Sequence, residues 1–244
     1  MMKSLYLLHT IFVYFIAFIS TALFSALAII AGVFNPYSNL SNLIVKAWAA
    51  SILKASGVKL IIEGIENINL EKSYVYMANH IGAFDILVLV KAIPQTARFI
   101  AKKELFKIPL LAQGMRMSGM LEIDRGNSDK ARQTLKKAIK TIQDGCSVII
   151  FPEGTRSIDG KLQNFKKGGF ILSIDGKIPI IPTVIMGTQY IFPKGSKWLK
   201  SGTAKVKFLN EVEVKNYNYE SRNALVKSTH DQIGLQFISD FNRN

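Results

Sequence analysis

From Ser4 to Val45 the chain carries no charged side chain, with His9 counted as neutral. Within that run, LYLLHTIFVYFIAFISTALFSALAIIAGVF (residues 5–34) is longer than the roughly 20 apolar residues a membrane-spanning helix needs. A cleaved signal peptide fits less well, because its apolar stretch is usually about 7–15 residues. A soluble core helix that is apolar on every side would need a far larger protein around it. Membrane attachment is therefore expected. Asn35-Pro36 marks a break. Leu40, Leu43, Ile44, Ala47 and Trp48 then recur at one helical face, with Lys46 and Lys54 as polar positions and Trp48 suited to the membrane–water boundary. Two anchors satisfy this pattern: one tilted span, or a long helix plus a shorter interfacial one dipping into a single leaflet. Only Lys3 precedes the apolar run, whereas basic residues crowd after it. The positive-inside rule thus predicts the main domain on the cytoplasmic side of the inner membrane.

From about residue 57 the pattern changes. Apolar, β-rich runs at 58–64, 73–79, 97–101, 119–123, 147–151, 178–186 and 203–209 read as strands. Segments 85–93, 104–117, 128–145, 166–176 and 219–241 read as helices, with Ser128 a candidate N-cap and Gly145 a C-terminal stop. Alternating strands and helices predict an α/β fold, a central, largely parallel sheet flanked by helices. The expected division is 1–56, N-terminal membrane-anchoring helices, and 57–244, an α/β catalytic domain.

The 31 Lys+Arg against 17 Asp+Glu leave a net charge of +14, which suits anionic lipid or an acidic carrier. The basic residues are spread along the chain rather than gathered among aromatic residues, which counts against nucleic acid as a partner. A single cysteine, Cys146, excludes an internal disulfide and sits in an apolar strand.

In a parallel sheet, ligands bind beyond the carboxyl ends of strands. Three polar clusters fall there: NHIGAFD (79–85), Asp124-Arg125 and PEGTR (152–156). On a continuous helix His80 and Asp85 would point about 140° apart, but a strand end followed by a loop and a helix can fold them together. A carboxylate on one imidazole nitrogen leaves the other as a general base. There is no GxSxG elbow, so such a base would activate a hydroxyl brought by the substrate. Gly154 would let the backbone approach a ligand, Thr155 adds a hydroxyl, and Arg156 offers a fork for phosphate, with Arg125 able to join it. Lys102 and Lys103 could stabilise a developing oxyanion. Two other readings remain at this level. One is a metal-assisted phosphoesterase with His80, Asp85 and Glu153 as ligands, which lacks a second histidine nearby. The other is a non-enzymatic binder driven by charge.

The same residues resemble the glycerolipid acyltransferase family, most closely its bacterial 1-acyl-sn-glycerol-3-phosphate branch. NHIGAFD, GMLEIDR (119–125), FPEGTRS (151–157) and IPIIPTVI (178–185) match four blocks in the family's order, and AKKELFKIP (101–109) matches the segment between the first two. The resemblance implies that His80 is the general base and that Asp85 orients it. Arg156, Gly154 and Glu153, with Arg125, would form the acceptor-phosphate site, Glu153 holding the arginine. Pro182 would help bind the acyl donor or shape the site. It implies an enzyme of phospholipid biosynthesis that acylates a lysophospholipid to phosphatidic acid, with glycerol 3-phosphate or another lysolipid as the alternative acceptor. Acyl-CoA or acyl carrier protein would be the co-substrate, with no further cofactor and no metal. The family's first block often has serine where this chain has Gly82.

Overall fold

The computed structural model describes residues 2–241; Met1 and residues 242–244, the outermost positions of the two expected segments, lie outside the described residues. Seven strands form one sheet: β1 (Val58–Glu63), β2 (Val75–Ala78), β3 (Ala97–Lys102), β4 (Leu121–Ile123), β5 (Ser147–Ile150), β6 (Ile180–Met186) and β7 (Gly202–Phe208). Their order is β1-β7-β6-β2-β5-β3-β4. Every neighbouring pair is parallel except β6 and β7, so five adjacent strands from β6 to β4 deliver their carboxyl ends to one edge. The sheet is thus largely parallel and flanked by helices, as the alternation of elements predicts.

The strand sequences explain their places. β2, β5 and β6 are nearly unbroken apolar runs, buried on both faces as central parallel strands must be. β7 alternates buried Ala204, Val206 and Phe208 with Lys205 and Lys207, a strand packed on one face only. One apolar layer joins the sheet to the helices α1 (Met2–Phe34), α2 (Asn39–Ala55) and α3 (Asp85–Ala92). The other joins it to α5 (Ser128–Gln143), α6 (Gly168–Gly176) and α8 (Arg222–Phe241). Two expectations are corrected here. The helix expected over 104–117 divides into a 3-10 turn, Lys103–Lys107, and α4, Leu111–Met117. Pro109 lacks the N–H a helix needs, and Leu110 takes a positive φ of 67°. The N-cap of α5 is Asn127, whose side chain accepts from Lys130 N, so Ser128 opens the helix itself.

α1 is long and apolar enough to cross a membrane, yet it is docked along most of its length. Thr10 Oγ1 accepts from Leu199 N at 3.0 Å, Trp48 Nε1 donates to Thr21 Oγ1 at 3.1 Å, and Ser51 Oγ donates to Ser20 Oγ at 3.0 Å. Near its far end Gly32 lies so close to α4 that a Cβ there would meet Met117 O at 2.1 Å. The small and polar residues of α1 face the protein, while Leu8, Phe15, Phe18, Ile30 and Val33 are exposed. α2 behaves likewise: Ser41, Val45, Ala49 and Ile52 are buried, and Leu40 and Leu43 face outward. Trp48 turns its indole N–H toward α1.

Arg98 of β3 ties this hairpin to the sheet. It is fully buried and has no carboxylate partner among the described residues. Its Nε donates to Ser118 O; Nη1 donates to Ala97 O at 2.9 Å and Asn42 Oδ1 at 3.3 Å; Nη2 donates to Pro36 O at 2.9 Å and Ser41 Oγ at 3.4 Å. One guanidinium thus joins β3 to the α1–α2 turn, the first turn of α2 and the end of α4.

Candidate active site

β2 ends at Ala78, and the next two residues leave the sheet by different means. Asn79 is fully buried and substitutes for strand pairing: its Nδ2 donates to Ile185 O at 2.9 Å and its Oδ1 accepts from Ile185 N at 2.7 Å. That amide clamp holds the strand end against β6 and lets the chain turn. His80 follows, and α3 begins at Asp85.

The turn folds the two together. His80 Nδ1 lies 2.7 Å from Asp85 Oδ2. The same oxygen accepts from Ile81 N at 2.7 Å and Gly82 N at 2.9 Å, and Asp85 Oδ1 accepts from the Thr188 hydroxyl. The carboxylate is fully buried, so four donors replace its lost hydration. As an acceptor it requires the proton on His80 Nδ1, which leaves Nε2 as the basic nitrogen. The imidazole stacks on Phe151, centroids 3.9 Å apart with planes 9° from parallel, so both its tilt and its position are set. Gly82 is demanded by packing: a Cβ there would meet Thr188 O at 2.7 Å, so serine has no room in this chain.

Glu153 does not hold Arg156, as the resemblance implied. It is buried, and its Oε1 accepts from His80 N at 2.6 Å while Oε2 accepts from Gln163 N at 3.1 Å. Ser157 N donates to His80 O at 2.8 Å. The third block therefore grips the backbone of His80 from both sides. Burial pushes the Glu153 carboxyl up to about 7, against the two N–H donors that favour its charged form. Unfolded, that carboxyl ionises near 4.5, so folding favours the protonated form. The stability this supplies is full below about pH 4.5 and lost as pH rises through about 7. Relative to Glu153→Gln, the intact protein should lose about 3 kcal/mol across that window, read as a narrowing gap between two melting-temperature profiles. Parallel profiles would mean the carboxyl titrates normally.

A cavity of about 460 Å³ opens onto His80. Its apolar wall comes from α1 (Phe24, Ala28), α2 (Val45, Trp48), α3 (Ile86) and β3 (Phe99). Its polar end is lined by His80, Lys102, Arg125, Gly154, Thr155 and Arg156. Arg125 Nη1 donates to Gly154 O, while the Arg156 guanidinium makes no hydrogen bond or ion pair among the described residues. Gly154, at φ 76°, turns the chain so that this loop faces the cavity. The structure thus gathers His80, Asp85, Arg125, Gly154, Thr155, Arg156 and Lys102. It does not bring in two others. Lys103 is paired with Asp124 at 2.8 Å and lies off the cavity. Pro182 is buried inside β6, in register with Met77, where it belongs to the sheet beneath the site and does not line this cavity.

Thr188 and Phe151 were missed by sequence reasoning. Phe151 ends the apolar run 147–151 and opens the third block, with no role expected for its ring. Thr188 follows β6 at the same sheet edge as His80, and its place after a strand's carboxyl end was the available signal.

The family model described as Acyltransferase matches residues 59–186. The chloroplastic 1-acyl-sn-glycerol-3-phosphate acyltransferase of Arabidopsis thaliana is 36% identical over 176 residues, covering 71% of this chain and 49% of that protein; the chain thus spans about half of that relative's length. The 1-acyl-sn-glycerol-3-phosphate acyltransferase of Limnanthes douglasii is 31% identical over 224 residues, 91% of this chain and 79% of that one. The crystal structure of the 1-acyl-sn-glycerophosphate (LPA) acyltransferase from Thermotoga maritima superposes with a TM-score of 0.84 at 26% identity, covering 98% of this chain and 97% of that chain.

Proposed function

The chain belongs to the acyltransferase family, and from that premise we propose that it transfers an acyl chain from an acyl thioester to the sn-2 hydroxyl of 1-acyl-sn-glycerol-3-phosphate, forming phosphatidic acid. One observation carries the reading: a single cavity joins an apolar wall, an oriented histidine and a cationic rim. An acyl chain fits the first, a hydroxyl the second and a phosphate the third.

His80 Nε2 removes the proton of the acceptor hydroxyl as its oxygen attacks the thioester carbonyl. Asp85 stabilises the imidazolium that forms. The tetrahedral oxyanion collapses with cleavage of the carbon–sulfur bond, and the leaving thiolate takes the proton from His80. Ester and free thiol result, with no covalent enzyme intermediate. Lys102 lies on the cavity to offset the oxyanion's charge. Arg156 and Arg125 hold the acceptor phosphate through their free donors. The donor is carried by coenzyme A or an acyl carrier protein, both acidic and suited to a chain of net charge +14.

The exposed apolar face of α1 and α2 enters lipid. Because α1 is fastened to the domain from Thr10 to Gly32, the hairpin would sit in one leaflet, with the cavity between it and the sheet open to lipid acceptors.

The test is phosphatidate formation in mixed micelles by the intact protein, with an acyl-CoA or acyl-carrier donor, with and without chelator. Equal product in both conditions is expected. Product only with metal would revive the metal-assisted reading. Absence of phosphatidate with product from glycerol 3-phosphate would move the acceptor within the family.

A further inference from the structure

We propose that Lys194 is a further acceptor-binding residue: with Arg125 and Arg156 it forms a cradle for a dianionic phosphomonoester and selects against lysolipids whose phosphate is a diester. This rests on the acyltransferase reading above.

Lys194 lies well outside the four matched blocks, in the segment after the short helix α7 (Thr188–Ile191). That segment is pinned to the catalytic loop, with a bridge between Pro193 and Gly82 and a bond from Ala83 N to Phe192 O at 3.2 Å. The pinning carries the ammonium across to the third block, where Nζ donates to Arg156 O at 3.2 Å and Thr155 Oγ1 at 3.4 Å. An ammonium has three donors, so one remains, and the charge itself is unpaired by any carboxylate among the described residues. Arg125 reaches the same loop at Gly154 O. Lys166 joins it: a Cβ on Gly154 would meet Lys166 Nζ at 3.1 Å.

Of the nearby acids, Glu104 favours the charged form of Arg125 but is paired with Lys102 at 3.5 Å, and two others are turned away from the cluster. Glu153 is turned inward to two backbone N–H groups. Asp159 accepts from Ser157 Oγ at 2.9 Å and Lys161 N at 3.1 Å. Four cations from separate segments thus surround one turn of backbone: Arg125 and Arg156 line the cavity itself, and Lys194 reaches its wall at Thr155. Such an excess suits two negative charges more than one, and a phosphomonoester differs from a diester in that second charge.

A staple holding Thr155 and Arg156 in place would explain the same two bonds, so the test must separate charge from scaffolding. Initial rates are measured for the intact protein, Lys194→Met and Lys194→Arg, with 1-acyl-glycerol-3-phosphate and with a 1-acyl-glycerophosphocholine diester. Thermal protection by sn-glycerol 3-phosphate is measured on the same proteins. We expect Lys194→Met to raise KM for the monoester about tenfold or more with kcat within a few-fold. Its preference for the monoester should fall by a similar factor, and arginine should restore both. An equal loss of kcat on both acceptors, without recovery in Lys194→Arg, would make Lys194 a staple and overturn the proposal. Equal protection of the intact protein and Lys194→Met would overturn it too, leaving the acyltransferase reading intact. No turnover and no protection of the intact protein would bring down both.

Discussion

Replacing His80 with alanine is expected to lower acyl transfer roughly 10³-fold, the middle of the range for losing a general base, while the protein stays folded. The ring is partly exposed and its contacts are the stack on Phe151 and the bond to Asp85, so few buried atoms lose partners. The backbone that carries it is held independently, by Glu153 at His80 N and by Ser157 at His80 O. A melting temperature within a few degrees of the intact protein, with acyl transfer lowered by that factor, is the expected pair of results. Full activity in the folded variant would mean that the proton leaves the acceptor by another route, and the mechanism would fail. Asp85→Asn should cost activity and stability together, because the amide would turn an N–H₂ group toward donors that now converge on a carboxylate.

The second large effect concerns stability. Arg98→Met should destabilise the protein by about 3 kcal/mol. Methionine matches much of the side chain's length, and removing the charge relieves its desolvation cost. Against that, Ser118 O loses its donor in a dry interior, and Ala97 O and Pro36 O lose theirs in partly buried positions, at about 1–3 kcal/mol for a fully buried group left unpaired and less for the other two. The carbonyl losses exceed the relief. At about 2–4 °C per kcal/mol for a chain of this size, the melting temperature should drop by roughly 10 °C. Because Arg98 holds the α1–α2 turn against the sheet, protease cleavage near Pro36 should also accelerate. An unchanged melting temperature would show that water reaches these carbonyls and that the hairpin is fastened elsewhere.

Much of this was legible in residue order because the signals are local. A parallel central strand must be apolar on both faces, so β2, β5 and β6 stand out as short apolar runs. Loops at their carboxyl ends carry the polar clusters, so His80, Asp85, Arg125 and Arg156 are visible before any fold is known. Helix punctuation was legible only where one residue dominates: Gly145 stops α5, but Pro109 split a helix that periodicity alone joined.

The chain's order of residues determined the apolar N-terminal hairpin, the sheet and the positions of the reactive side chains, since each follows from composition and spacing within one segment. Tertiary structure alone decided what those side chains do to one another. Glu153 grips the backbone of His80 rather than Arg156, since a buried carboxylate binds the nearest unpaired N–H groups. Thr188 completes the shell of Asp85 from 103 residues away. Arg98 fastens α1 and α2 so that they wall the cavity. Each is a hydrogen bond between groups distant in the chain, made because a polar atom shut away from water must find a partner, and no local pattern records which partner that is.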